Sequence, residues 1–403
     1  MMKSIDDIRA QFPQLQRTVY GKPLVYLDNA ATSLRPASVI ERWTRSAASQ
    51  SANLHRAVHC VAVEATEAYE QARDAVRDFI NAPEREEVIF TSGTTHSINL
   101  AAYSIGQAFI SEGDEVIVSE GEHHSNIVPW QLMCERRGAS LRILPVDETG
   151  HILIDLLPSL ISPRTRLVCL AHVSNVLGLV NPVRSIADIC HSKGVMLLVD
   201  GAQGIVHQNV DVQALGCDFY AFSGHKMYGA PGTGVLWGRR ALLEQMPPMF
   251  GGGEMIQTVS WSGSTWAPLP AKFEAGTQDI SAVPCWVPAI EVLKEMPQDD
   301  ALRDFIYDAL TSIDGLTLYG RSSEPSEKVP LFSFAVQGVH HEDLALILDK
   351  MGIAVRSGQM CAEPLMDRFG VTGMLRASFA PYNTMQEAEY FVSSLLKAIK
   401  MLQ

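Results

Sequence analysis

Nowhere in the 403 residues does an apolar run approach the about 20 residues that span a bilayer, which excludes a transmembrane helix. The first residues, Met1-Met2-Lys3-Ser4-Ile5-Asp6-Asp7, carry acids where a signal peptide needs an apolar core, so a cytoplasmic location is expected. Positive charge is scarce as well. With 32 basic against 45 acidic residues the net charge is −13, and no Lys/Arg block or basic stripe interleaved with aromatics is present, which argues against nucleic acid and anionic membrane as partners. The seven cysteines (Cys60, Cys134, Cys169, Cys190, Cys217, Cys285 and Cys361) form no C-x-x-C pair and none lies at zinc-finger spacing from a histidine, so neither a disulfide framework nor a structural zinc site is expected. Cys169, Cys190 and Cys217 stand in apolar surroundings and read as small buried hydrophobes. No G-x-G-x-x-G follows a first strand, which argues against a nicotinamide oxidoreductase. What the chain has in quantity is apolar residues, 47% against 19% charged, enough for a large core.

Those apolar residues are grouped. From about Val25 to Trp237, short runs alternate with segments of helical period, the signature of an α/β domain with a mainly parallel sheet. Seven strand candidates stand out: 88–91, 115–118, 141–144, 167–170, 195–199, 218–222 and 234–237. Between residues 61 and 79, Val61, Ala65, Ala68, Ala72, Val76 and Phe79 recur at three- and four-residue steps and predict a long amphipathic helix. After Trp237 the pattern loosens through Gly251-Gly252-Gly253 and a polar stretch holding Trp261 and Trp266. Helical periodicity resumes near Val283, with two further strands (331–336 and 375–379) and a closing helix from Met385 to about Met401. The expected division is an N-terminal segment, 1–22, packing with the small domain; a large domain, 23–284, with a seven-stranded sheet flanked by helices; and a smaller α+β domain, 285–403.

The chemistry gathers where strands end. Lys226, in Ser223-Gly224-His225-Lys226, follows the strand candidate 218–222, and Asp200 ends the apolar run 195–199, so both fall where buried parallel strands open on a ligand crevice. A lysine can hold an aldehyde cofactor, pyridoxal 5'-phosphate (PLP), and a carboxylate can keep its pyridine nitrogen protonated. A lone lysine would be a solvated surface residue; Asp200, Gln203 and His225 nearby reverse that. Gly93-Thr94-Thr95 stands between a strand and a helix, where backbone N–H groups and hydroxyls meet a phosphate, although a plain N-cap is the simpler use of either threonine. Ser223 can add a hydroxyl there. His123, in Glu122-His123-His124-Ser125-Asn126, can stack on a flat ring; metal binding by the two histidines lacks further ligands. Cys361 lies in the Gly- and Pro-punctuated segment 356–364, which reads as a loop with a reachable thiol, and Arg356 is near in sequence to lower its pKa. Arg376 interrupts the apolar run 375–379, so it needs a partner: a substrate carboxylate or a structural acid.

Together these residues resemble the cysteine desulfurases, aminotransferase-class-V-like members of PLP fold type I, and more closely the Suf-type group II branch. The resemblance runs nearly end to end, through residues 26–32, His55-Arg56, 93–95, 122–130, 173–178, 199–203, 223–226, 273–277 and the Cys361 and Arg376 segments. It implies that Lys226 holds PLP, Asp200 pairs with the ring nitrogen, Gln203 and Asn175 contact the ring oxygen or substrate, and His123 stacks. Thr94, Thr95, Ser223 and His225 would bind the phosphate, joined by Thr277 from the other subunit of a homodimer. Arg376, with Asn175, His55 and Arg356, would receive L-cysteine. Lys226 would move its α-proton and Cys361 would take its sulfur as a persulfide, for transfer to a SufE-like or SufU-like acceptor in iron–sulfur cluster assembly. The short span from Arg356 to Cys361 matches group II. The resemblance also admits a selenocysteine lyase or another PLP β-lyase and, in a different class, a PLP-bound sulfur-relay protein with little activity alone. The chain departs from the pattern at Met360, where histidine is usual before the cysteine, at Ser92 and His96 for Arg and Glu, and at Ala230-Pro231 for Pro-Thr.

Overall fold

Seven short strands form the centre of the first two-thirds of the chain, and their buried apolar residues alternate between two cores. In the computed structural model, which describes residues 4–297 and 300–403, they are β1 (Val88–Thr91), β2 (Glu115–Ser119), β3 (Ser140–Leu144), β4 (Thr165–Ala171), β5 (Met196–Asp200), β6 (Phe219–Ser223) and β7 (Gly234–Gly238). Ile117, Val168, Leu170, Leu197, Val199, Tyr220 and Phe222 face one side, where the helices Cys60–Phe79 and Val183–Ser192 cover them. Val116, Val118, Leu167, Cys169, Leu198, Phe219 and Ala221 face the other, beneath the helices Thr94–Phe109 and Val128–Arg137. A strand period of two, with both faces buried, is why the runs read as continuously apolar. Cys169, Cys190 and Cys217 are fully buried in these cores.

The sheet order is β1-β7-β6-β5-β4-β2-β3, with β7 antiparallel to both its neighbours and the other pairs parallel. β4, β5 and β6 therefore end together, with Ala171 opposite Asp200 and Asp200 opposite Ala221. The reversed strand brings Gly234 between Thr91 and Ser223. A Cβ on Gly234 would lie 2.4 Å from the Gly93 Cα, so glycine is required for the loop after β1 to close on the end of β6.

Residues 286–295, placed by sequence on the small-domain side, form a helix whose Trp286 and Ile290 are buried in the same core as the 60–79 helix. Beyond it a second sheet runs β8 (Leu316–Tyr319), β9 (Leu331–Val336), β11 (Met374–Ser378), β10 (Arg356–Gly358), all antiparallel. Helices His341–Lys350 and Met385–Leu402 share its core. Val25-Tyr26 pairs in parallel with Ile353-Ala354, and Ile8, Phe12 and Leu15 pack with Tyr228 and Tyr382, so the N-terminal segment clasps both layers; Met1, Met2 and Lys3 lie outside the described residues. The stretch with Trp261 and Trp266 is a hairpin, Ile256–Ser260 with Gly263–Trp266, exposed along nearly its whole length. Among the described residues no helix is long and apolar enough to cross a membrane.

Candidate active site

A cavity of about 210 Å³ opens where β4, β5 and β6 end, and it is lined by Thr94, Thr95, His123, Asn175, Asp200, Gln203, Ser223, His225, Lys226, Arg356, Cys361 and Arg376. Two residues singled out by sequence lie elsewhere in the chain. Thr277 is exposed, and His55 sits over a separate depression with Arg56, Glu70 and Arg73, its Nε2 3.7 Å from Glu70. A larger cavity of about 430 Å³ shares Lys226 and Gln203 but holds neither Asp200, Cys361 nor Arg376, so the chemistry belongs to the smaller one.

Strand geometry places the floor. β6 ends at Ser223 and turns at once into one turn of 3₁₀ helix, Gly224–Lys226, which delivers the lysine into the cavity. Burial lowers the Lys226 pKa and raises that of Asp200, while their mutual attraction opposes both shifts. Asp200 accepts the Ala202 N–H at 2.9 Å. Gln203 donates from Nε2 to the Ala30 carbonyl at 2.7 Å. The His225 carbonyl receives the Ser33 N–H and the hydroxyls of Thr32 and Ser33 at 3.0–3.1 Å, fixing the lysine turn to the N-terminal segment. Burial pushes the His225 pKa down to about 4.

At one end, Gly93 adopts φ +146 and caps the 94–109 helix. The Ser223 hydroxyl lies 2.8 Å from the Thr94 N–H and 2.6 Å from the Thr94 hydroxyl, and the Thr95 hydroxyl lies 2.7 Å from that of Ser125. Helix N–H groups and a ring of hydroxyls suit a phosphate. The His123 Nδ1 accepts the Ser125 N–H at 3.0 Å, leaving the ring proton on Nε2; desolvation, aided by Lys226, pushes its pKa down to about 3, so the imidazole is neutral. Behind it Glu122 is buried and accepts from Ala171 N–H at 2.9 Å, from Asn126 Nδ2 at 2.7 Å and from the Ser119 hydroxyl.

At the other end, register places Arg376 beside Arg356 on adjacent strands. Arg376 donates to the Asn175 carbonyl at 2.8 Å and to Asp28 at 3.2 Å, while its buried Nε has no hydrogen-bond partner. Burial lowers its pKa to about 10. The structural acid considered in the sequence therefore exists, yet it occupies only part of the guanidinium fork and leaves a donor for another carboxylate. The segment 356–364 is not simply a loop: Arg356–Gly358 is an edge strand, a helix begins at Glu363, and Cys361 sits exposed in the turn between them. Met360 and Cys361 are both left-handed, at φ +53 and +55, and Met360 is buried. Ala31, Ser125 and Val173 also line the cavity although the sequence assigned them no role of their own, and Asp28, within the matched stretch 26–32, is the partner of Arg376.

An amine opposite a buried carboxylate, a hydroxyl-ringed helix N-terminus and two guanidinium groups define the site of a PLP-dependent enzyme of fold type I. The aminotransferase class-V family model matches residues 25–391. A probable cysteine desulfurase of Vibrio cholerae is 44% identical over 408 residues, covering 100% of both chains. The cysteine desulfurase of Klebsiella pneumoniae is likewise 44% identical over the full length of both. The crystal structure of the Escherichia coli cysteine desulfurase CsdA superposes with a TM-score of 0.91 at 40% identity over 100% of each chain. That of Thermococcus onnurineus gives 0.93 at 34% over 99% of each. The chain belongs to the aminotransferase class-V family and, within it, to the cysteine desulfurases. Its cofactor is pyridoxal 5'-phosphate, and the cavity offers groups that would fit it: the Lys226 amine, the buried Asp200 carboxylate and the hydroxyls of Thr94, Thr95 and Ser223.

Proposed function

We propose that the chain converts L-cysteine to L-alanine and holds the sulfur as a persulfide on Cys361. The observation that carries this is the convergence of Lys226, Arg376 and Cys361 on one cavity. When bound, PLP supplies an electron sink for the substrate's α-carbon. Arg376 binds the substrate carboxylate with the donors of its fork that Asp28 and Asn175 leave free, with Asn175 and Arg356 beside it. Lys226, whose lowered pKa favours the neutral amine, moves the α-proton. His123, neutral with its proton on Nε2, covers the ring and excludes water. The Cys361 thiolate attacks the substrate sulfur: the S–S bond forms as the Cβ–S bond breaks, the released pair is quenched by a proton on the carbon side, and alanine leaves.

Cys361 stands exposed in a turn bracketed by a strand and a helix, which suits delivery to a docking SufE-like or SufU-like acceptor for iron–sulfur cluster assembly. In this proposal Thr277 reaches the phosphate, and His55 the substrate side, across the interface of a homodimer, since neither lies at its own chain's cavity. The test is alanine formation from L-cysteine with reductant, for the parent and Cys361→Ser, with L-selenocysteine in parallel. Alanine from the parent alone, with cofactor colour kept in both, is expected. Turnover of selenocysteine by the variant would favour the lyase alternative, and a parent inert toward cysteine even with an acceptor would sink the assignment.

A further inference from the structure

The turn that presents Cys361 has little local reason to hold its shape. Two consecutive non-glycine residues in the left-handed region are each strained, and Gly358 before them is itself at φ +107. The helix that follows, Glu363–Phe369, has no side-chain cap of its own; its N-cap position is Ala362. What holds the turn comes from other parts of the chain. Asn175 Nδ2 donates to the Met360 carbonyl at 2.9 Å, and the His124 backbone N–H donates to the Cys361 carbonyl at 2.7 Å. The His124 ring then reaches over the cysteine, and its Nε2 accepts the Glu363 N–H at 3.0 Å. One residue thus holds the chain at two points just past the thiol, one of them from 239 positions away, while Asn175 holds the residue before it. It also follows His123 directly, so the imidazole at the cofactor side and the cysteine turn hang on one short segment.

We infer that His124 is a positioning residue for Cys361: its ring acts as a cap supplied in trans to the Glu363 helix and keeps the thiol aimed into the cavity. The inference rests on Cys361 being the sulfur-accepting nucleophile. It does not place His124 on substrate or cofactor, since it is absent from the cavity lining. Two consequences separate it from a merely structural role. Loss of the ring acceptor loosens the turn without disturbing Arg376, Lys226 or Asp200, so kcat falls while the KM for L-cysteine stays. The need is for an acceptor at the Nε2 position, which glutamine can offer and asparagine, one bond shorter, cannot.

The experiment compares the parent holoenzyme with His124→Ala, His124→Asn and His124→Gln. Four quantities are read: kcat and KM for alanine formation, the rate of Cys361 alkylation by iodoacetamide followed by peptide mass spectrometry, and cofactor absorbance. Cys361→Ser is run in the same alanine assay. The Ala and Asn variants should lose roughly 10- to 100-fold in kcat, the scale of a misplaced reacting group, with KM within about twofold, faster alkylation and unchanged absorbance. The Gln variant should recover most of the loss. A His124→Ala variant with parental kcat and alkylation rate, a Gln variant no better than Ala, or an effect carried by KM alone would each overturn the inference. Retained turnover in Cys361→Ser would instead overturn the nucleophile assignment, while the alkylation rates still report on the turn.

Discussion

Lys226 and Cys361 line one cavity, yet they are held in different ways. Lys226 lies three residues past the end of a central strand whose neighbours on both sides are paired in register, and each residue beneath it is fixed by the strand period. Cys361 lies at the rim of a small sheet, next to a three-residue edge strand, in a left-handed turn tied down by hydrogen bonds from His124 and Asn175. The cradle owes its shape to the pairing of central strands; the turn is anchored in the same core by Met360 and Ala362 on either side of the thiol, and polar contacts worth about 0.5–1.5 kcal/mol each set its conformation. Under the proposed function, a site that keeps a cofactor and hands on sulfur benefits from that asymmetry, because the thiol that would meet an acceptor is itself exposed.

The largest expected difference between the two regions is their response to acid. The cradle is built over imidazoles kept neutral by burial: His172, fully enclosed with Nδ1 2.9 Å from the Tyr220 hydroxyl, and His225 have pKa values pushed down to about 4, and His123 to about 3. Unfolded imidazole titrates near 6.5, so between about pH 6.5 and 4 the unfolded chain binds more protons than the folded one. Stability is therefore full above pH 6.5 and is lost as pH falls through 4. For His172 alone the drop to about 4 corresponds to roughly 3 kcal/mol. Denaturant midpoints measured between pH 7 and 4.5 should show a fall that His172→Asn, which keeps a hydrogen-bonding atom near Nδ1, makes shallower. An equally steep fall in that variant would show that acid acts elsewhere than on the cradle.

Arg376 belongs to both regions and sharpens the comparison. It spans Asp28, Asn175 and the cavity, with the Asn175 side chain gripping the cysteine turn beyond it. Arg376→Lys keeps the charge against Asp28 but removes the planar fork, so KM for L-cysteine should rise about 10- to 100-fold while the cofactor stays bound. If kcat falls instead with KM unchanged, Arg376 serves the turn and not the substrate.

The same asymmetry decides what the chain disclosed before its structure was known. All seven central strands fell within one or two residues of their observed limits: six are buried along almost their whole length and write continuous apolar runs, and only the edge strand β3 is largely open. Lys226, Asp200 and Ser223 followed from them, since a residue just past such a run has only one place to go. The edge strand Arg356–Gly358 wrote no run, being short, half-buried and glycine-ended. The helix after Cys361 was masked by Pro364, taken as loop punctuation although proline is well tolerated in a first helical turn. Leu316–Tyr319 was missed because only Leu318 of its four residues is buried. His124 carried one signal, its place beside His123, and nothing local says that its ring reaches Glu363.

The smallest effect tests the turn itself. Met360 is buried among core residues while its backbone is left-handed, so the two properties can be separated by substitution. Met360→Ala and Met360→Gly both empty the side-chain site, at about 2–5 kcal/mol for the common loss of packing. They differ in backbone alone. Alanine in the left-handed region costs about 1–2 kcal/mol. Glycine escapes that but carries an unfolded-state entropy penalty of about 0.4–1 kcal/mol. The glycine variant should therefore be the more stable of the two by roughly 1 kcal/mol, the reverse of their order in a helix or strand. Denaturant midpoints measured side by side would show it. If alanine proves the more stable, the left-handed conformation at Met360 is not what the folded chain maintains, and the contrast between a core-built cradle and a tethered, strained turn loses its basis.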